Sequence, residues 1–146
     1  MRIKKYLEQS PVFAINLAYE AIISELNRSL KQEEVNIMQA LLLTALFFEE
    51  SDNIKPSDLA KVFRTSRGNI SHSLSHLEAK KWVRRKVHID DARSFHIELR
   101  PEGRRKALAL IKFFDKIQDR FEKELGSSCR HTVNGIFQMV ELHGSR

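Results

Sequence analysis

The sequence predicts a mainly helical domain carrying one small β-hairpin, and three observations predict it. Apolar residues recur at helical spacing over most of the chain. One segment, residues 83–99, switches to a pattern dense in β-formers. Polar and Pro/Gly breaks separate these stretches, with no internal repeat or low-complexity tract. At 146 residues, 42% hydrophobic and 30% charged, the chain is long and apolar enough to bury a core as one domain over 1–146 without disulfides or a structural metal.

Each element follows from local pattern. Residues 1–8 are basic and lead into an amphipathic segment, not into a long apolar run with a small-residue cleavage site. Over residues 11–30, Phe13, Leu17, Ala18, Ile22, Ile23 and Leu26 alternate with Glu20, Glu25 and Arg28 at helical spacing, which predicts a long amphipathic helix. A second helix, residues 33–50, carries Ile37, Leu41, Leu42, Ala45, Leu46 and Phe48 and has little polar surface, so it is expected at the buried centre. Ser51, Asp52 and Asn53 break the chain, Pro56 suits a first helical turn, and a short helix through Leu59, Ala60 and Phe63 follows. Ser66 is a candidate N-cap for the next helix, residues 66–81, whose Ile70, Leu74 and Leu77 form one apolar stripe. The hairpin then pairs Val87 and Ile89 on one run with Phe95, Ile97 and Leu99 on the other, with Asp90, Asp91 and Ala92 between. Pro101 and Gly103 punctuate its end. A long helix through Leu108, Ile111, Phe114, Ile117, Phe121 and Leu125 stops at Gly126, and a last helix, residues 129–142, aligns Val133, Ile136, Phe137 and Val140.

The charge distribution narrows the function. Residues 64–106 hold 12 Lys or Arg against 5 Asp or Glu, whereas the other 103 residues hold 13 against 14. All of the net +6 therefore sits in one internal block, where a polyanionic partner is expected. Basic side chains also solvate ordinary surfaces, so charge alone does not decide. The order short helix, turn, helix, hairpin decides more, because it is the winged helix-turn-helix arrangement and it coincides with the basic block. In such modules the second helix enters the DNA major groove, the only groove wide enough for a helix and distinct for all four base pairs.

With Ile70, Leu74 and Leu77 turned inward, Gly68, Asn69, His72, Ser75 and His76 fall on the outer faces of that helix. These are short or hydrogen-bonding residues, and no Glu or Lys interrupts residues 67–77 as it would on a generic solvated helix. Such a face lets the backbone approach base edges. Arg67 at the first turn can reach phosphate or guanine, Ser66 beside it is a candidate DNA contact, Asn69, Ser71, His72 and Ser75 are candidate base readers, and Arg85 belongs to the cations expected on the duplex backbone. At the hairpin tip, Asp91 can hold the Arg93 guanidinium in a fixed pose for the narrow minor groove.

These residues resemble the MarR-type transcriptional regulators. Ser66-Arg67-Gly68-Asn69-Ile70-Ser71, followed by Leu77-Glu78-Ala79-Lys80-Lys81-Trp82-Val83, is similar to their recognition helix and its exit into the wing, and Asp90-Asp91-Ala92-Arg93-Ser94 resembles their wing tip. Lys81 stands where glycine is usual in the family, and Arg100 where a Ser or Thr cap is common. The resemblance implies a winged DNA-binding lobe at 33–100, a helical dimerisation region formed by 1–32 and 101–146, repression of nearby genes and control by a small-molecule effector. Apolar stripes on the first helix and on the last two, more than a compact lobe can bury alone, independently argue for a homodimer, whose recognition helices roughly 34 Å apart would match a pseudo-palindromic operator.

Other chemistry has little support in the sequence. No nucleophile elbow, phosphate loop or metalloprotease motif occurs, so an enzyme is not expected, and no cofactor is implied. His72 and His76 have the i, i+4 spacing of a ligand pair but lack a third ligand nearby, so groove contact or plain exposure is preferred over metal. Cys129 is the only cysteine, which suits a reducing, cytoplasmic setting, and with Arg130 its only basic neighbour it is read as an idle thiol rather than a redox sensor. No apolar run reaches the length of a membrane helix. The competing reading is a winged module that docks an acidic partner protein instead of double-stranded DNA.

Overall fold

The computed structural model describes residues 1–49, 54–87 and 95–144. In chain order these form α1 (Arg2–Gln9), α2 (Pro11–Gln32), α3 (Ile37–Phe48), α4 (Pro56–Val62), α5 (Arg67–Ala79), β1 (Val83–Val87), β2 (Phe95–Leu99), α6 (Pro101–Leu125), a 3-10 turn (Gly126–Ser128) and α7 (Cys129–His143). The chain divides into two compact units, Met1–Ala107 and Leu108–Arg146, with the boundary inside α6. Among the described residues no helix is long and apolar enough to cross a membrane.

In the first unit the helix ends are the informative features. Three helices close with the same device. After α2 the Val35 amide donates to the Leu30 carbonyl and Glu34 to Lys31; after α4 Thr65 donates to Ala60 and Arg64 to Lys61; after α5 Trp82 donates to Leu77 and Lys81 to Glu78. This paired bonding needs one residue in the left-handed region, and Glu34, Arg64 and Lys81 supply it with φ of 58°, 49° and 61°. Lys81 therefore keeps the left-handed cap although it is not glycine.

The same device shortens the second predicted helix, expected from residue 33. Glu34 breaks the chain, and α3 starts at Ile37 behind a reciprocal cap in which Asn36 Oδ1 accepts from the Gln39 amide at 2.9 Å and Gln39 Oε1 from the Asn36 amide at 3.1 Å. Helix α3 is the buried centre, with Ala40, Leu42, Leu43 and Leu46 all out of solvent. Phe48, predicted to join them, is instead 66% exposed at the last turn, where the 100° advance has carried it off the buried face. Around α3 gather Leu30 and Val35, Leu59 and Ala60 of α4, Ile70, Leu74 and Leu77 of α5, and Val83 and Ile97 of the strands, all buried. The predicted α5 stripe is the buried one, extended by Ser73.

The strands pair antiparallel in a two-stranded sheet, with Val83 opposite Leu99, Arg85 opposite Ile97 and Val87 opposite Phe95. Residues 88–94 lie outside the described residues, as do 50–53. The Arg100 amide donates to the Trp82 carbonyl at 2.8 Å, closing the base of the hairpin, and Pro101 opens α6. Gly103 is not a stop here but sits inside α6, where a Cβ would lie 1.9 Å from the Trp82 carbonyl oxygen. The glycine is there because backbone meets backbone.

Residues 2–9, read from the sequence only as a basic lead-in, form α1, and Tyr6 packs edge-on against Phe13 with ring centroids 6.0 Å apart. In the second unit the remainder of α6 ends where predicted, at the left-handed Gly126 (φ 53°), and α7 follows. Its apolar residues Phe121, Leu125, Val133, Ile136, Phe137 and Val140 are exposed in the single chain.

Two substitutions test this account by denaturant unfolding. Gly103→Ala places a methyl on a carbonyl that no rotamer change can relieve and should cost about 2 kcal/mol or more. Lys81→Gly removes the left-handed penalty and should raise stability by up to about 1 kcal/mol, the loss of unfolded-chain stiffness offsetting part of the gain.

Candidate nucleic-acid interface

Helix α5 is set by its first turn. The Ser66 hydroxyl accepts from the Asn69 amide at 3.1 Å, satisfying one of the open N–H groups, while the Asn69 side-chain amide donates to the Thr65 hydroxyl at 2.9 Å. The second bond fixes the Asn69 carboxamide and leaves its oxygen and one N–H toward solvent. Gly68, Asn69, His72, Ser75 and His76 are exposed, as the sequence predicts for the outer faces, and so are Ser66, Arg67 and Ser71. Arg67 makes no ion pair among the described residues. The Ser75 hydroxyl donates back to the Ser71 carbonyl at 3.0 Å, and the imidazoles of His72 and His76 meet Nε2 to Nε2 at 3.1 Å.

The hairpin is tied to this helix through Arg85. Its amide donates to Glu78 Oε1 at 3.2 Å, its guanidinium pairs with Glu78 Oε2 at 3.4 Å and donates to the Ser75 hydroxyl at 3.1 Å, and it lies over the Phe95 ring. Arg85 and Ser75, separate candidates in the sequence, are thus one network on the strand side of α5. The guanidinium holds the wing to the helix while keeping about a third of its surface open.

The opposite face of the hairpin carries a charge cluster that sequence reasoning did not single out. Glu98 accepts from Arg84, its cross-strand partner, and pairs with Arg84 at 2.7 Å, Lys86 at 3.0 Å and His96 at 3.1 Å. The bond from Lys86, then those from His96 and Arg84, hold the Glu98 carboxyl well below its usual range, at about 2. The signal was present as period-2 alternation, since residues 84, 86, 96 and 98 share one face once the register is known. Glu78 and Thr65 were likewise missed, and each acts by positioning a neighbour. Asp91 and Arg93, the expected wing-tip pair, lie outside the described residues.

Residues 34–94, which span α3, α4, α5 and β1, match the family model described as MarR family. This segment is similar to a MarR-family domain. The MarR-type winged helix-turn-helix fold also holds across most of the chain. The crystal structure of the Staphylococcus aureus MepR–DNA complex superposes with a TM-score of 0.81 over 92% of this chain and 96% of that one, at 20% identity. A second crystal structure, of S. aureus MepR in its DNA-binding conformation, gives 0.79 over 90% and 97%. By sequence, the HTH-type transcriptional regulator SarZ of Staphylococcus saprophyticus is 29% identical over 138 residues, 90% of this chain and 93% of SarZ. The transcriptional repressor MprA of Escherichia coli is 28% identical over 82 residues, 56% of this chain, and that match spans about half, 47%, of MprA.

The Glu98 cluster has a pH signature. A carboxyl whose folded value is depressed stabilises the fold above its unfolded value, near 4.5, and that contribution is lost as pH falls toward 2. Glu98→Gln should therefore lower stability at pH 7, and the gap to the unsubstituted protein should shrink through that window in acid unfolding curves.

Proposed function

We propose that the chain is a sequence-specific DNA-binding transcriptional regulator that places α5 in the major groove of duplex DNA. The observation that carries this reading is the exposed face of α5. It offers short polar side chains free of Glu and Lys, beside strands bearing Arg84, Arg85 and Lys86, within the one net-positive block of the chain. Its likeness to a DNA-bound regulator and to a protein named as a repressor supports the same reading.

The residues divide by role. Arg67, uncommitted at the first turn, and the strand cations hold phosphates; Ser66 and Gly68 let the backbone approach. Asn69, pre-oriented by Thr65, reads a base edge together with Ser71, His72, Ser75 and His76. Arg85 serves both sides, bracing the wing through Glu78 and offering its open edge to the backbone. Arg93, steadied by Asp91, anchors the wing tip in the minor groove.

The active form is a homodimer. Val12, Ile15, Leu17 and Tyr19 on α2, and Ile136, Phe137 and Leu142 on α7, are exposed on the single chain, and burial of such stripes at about 25 cal/mol per Å2 is a strong drive to association. Residues 1–32 and 101–146 supply that interface, and 33–100 form the DNA-binding lobe. Two recognition helices then meet successive major grooves of a pseudo-palindromic operator, which the dimer occupies as a repressor. A small ligand that changes the spacing of those helices would release it, at the cost of a coupling free energy between the two sites.

Selection of duplexes from a random pool should enrich an inverted repeat with half-sites roughly 10 base pairs apart. On the enriched duplex Arg67→Ala should weaken binding about equally for all sequences and lower the salt slope by about one, whereas Asn69→Ala should cost about 1–3 kcal/mol and relax preference at one position. A pool showing no enrichment, with retention of an acidic protein instead, would overturn the duplex reading.

A further inference from the structure

The paired imidazoles on α5 have a geometry that base contact does not require. His72 and His76 sit one turn apart with their rings nearly perpendicular, at 84°, and centroids 4.5 Å apart, so that both Nε2 atoms converge at 3.1 Å on the exposed side of the helix. Two nitrogens each about 2.0–2.1 Å from one ion and 3.1 Å from each other subtend roughly 100° at that ion, between the octahedral and tetrahedral angles. The helix thus places the two nitrogens close enough to share one ion. The nearest cation along the helix, Lys80, is drawn away, with its ammonium on the Glu34 carbonyl and 4.7 Å from the centre of the Trp82 ring. Glu78 is likewise engaged by Arg85.

We propose that His72 and His76 form a bidentate site for a borderline transition-metal ion, Zn2+, Ni2+ or Cu2+. Imidazole suits these ions, and for a fixed pair of nitrogens Cu2+ binds most tightly. No third His, Cys, Asp or Glu joins the pair among the described residues, so water fills the remaining positions and the site is open and exchangeable rather than structural. An ion held there with its water shell stands on the face of α5 that the duplex would meet, so metal and duplex exclude one another. This last step rests on the duplex reading above; the site itself does not.

The test uses the full chain and Ni2+, with Zn2+ and Cu2+ as companions, titrated against a chromophoric chelator in metal-free buffer. His72→Ala and His76→Ala should each lower affinity about tenfold or more, because either change converts a chelate into a single ligand. His131→Ala, on α7, should not. Binding should weaken on acidification, since protons compete for the same nitrogens. Both α5 positions are exposed and alanine favours a helix, so the variants should fold, which circular dichroism checks. If either single variant binds Ni2+ as the unsubstituted protein does, the site is overturned. Duplex affinity measured without metal tests the duplex reading by itself. Where that affinity is present, saturating Ni2+ should reduce it in the unsubstituted protein and leave His76→Ala unaffected; equal affinity with and without Ni2+ overturns exclusion.

Discussion

The backbone carbonyl of Trp82 is the constraint on which the rest of the winged lobe depends. It lies one residue beyond the left-handed Lys81, which ends α5, and one residue before β1 begins. It accepts the Arg100 amide where β2 ends, and it lies against Gly103 in the first turn of α6. A single peptide group thus fixes the exit of α5, the base of the hairpin and the start of the longest helix. The Trp82 side chain adds to the joint from within, 7% exposed, with the ammoniums of Lys80 and Lys106 4.7 and 5.1 Å from its ring centre. Lys106 also pairs with Glu33 at 2.8 Å, so the joint reaches the end of α2.

From that joint the wing and the helix are held in register by a second layer of bonds. Arg85 ties β1 to Glu78 and Ser75 on one face of the hairpin, and Glu98 gathers Arg84, Lys86 and His96 on the other. The two acidic groups spend much of the local positive charge on internal structure. This changes the meaning of a basic block: its net charge steers a polyanion over a Debye length, while only some of its cations stand uncommitted for contact. Arg67 is one of these among the described residues, and it stands at the first turn of α5.

Much of this was legible in the residues. The α5 stripe of Ile70, Leu74 and Leu77 is periodic and unambiguous, and Ser66 caps as its hydroxyl allows. The strand segment declared itself by composition, and Gly126 by its position. What was not legible depends on long-range geometry. Gly103 looked like punctuation because its reason, a carbonyl 21 residues earlier, appears only when the chain is folded. Phe48 looked like core because an apolar helix end carries no mark of where burial stops. The Glu98 cluster needed the strand register, and the Arg85 network needed the angle between hairpin and helix. Left-handed residues at Glu34 and Arg64 escape any rule that looks for glycine, and Lys81 is marked only by the resemblance to a family with glycine there.

The central claim is that the exposed face of α5 meets the base edges of duplex DNA. A photoreactive side chain placed at Ser71 tests it most directly, on a duplex enriched from a random pool, with the same group at the exposed Lys116 of α6 as comparison. The account predicts crosslinks from position 71 to bases within the enriched repeat, and none from position 116. Equal yields from the two positions, or crosslinks from 116 alone, would contradict it.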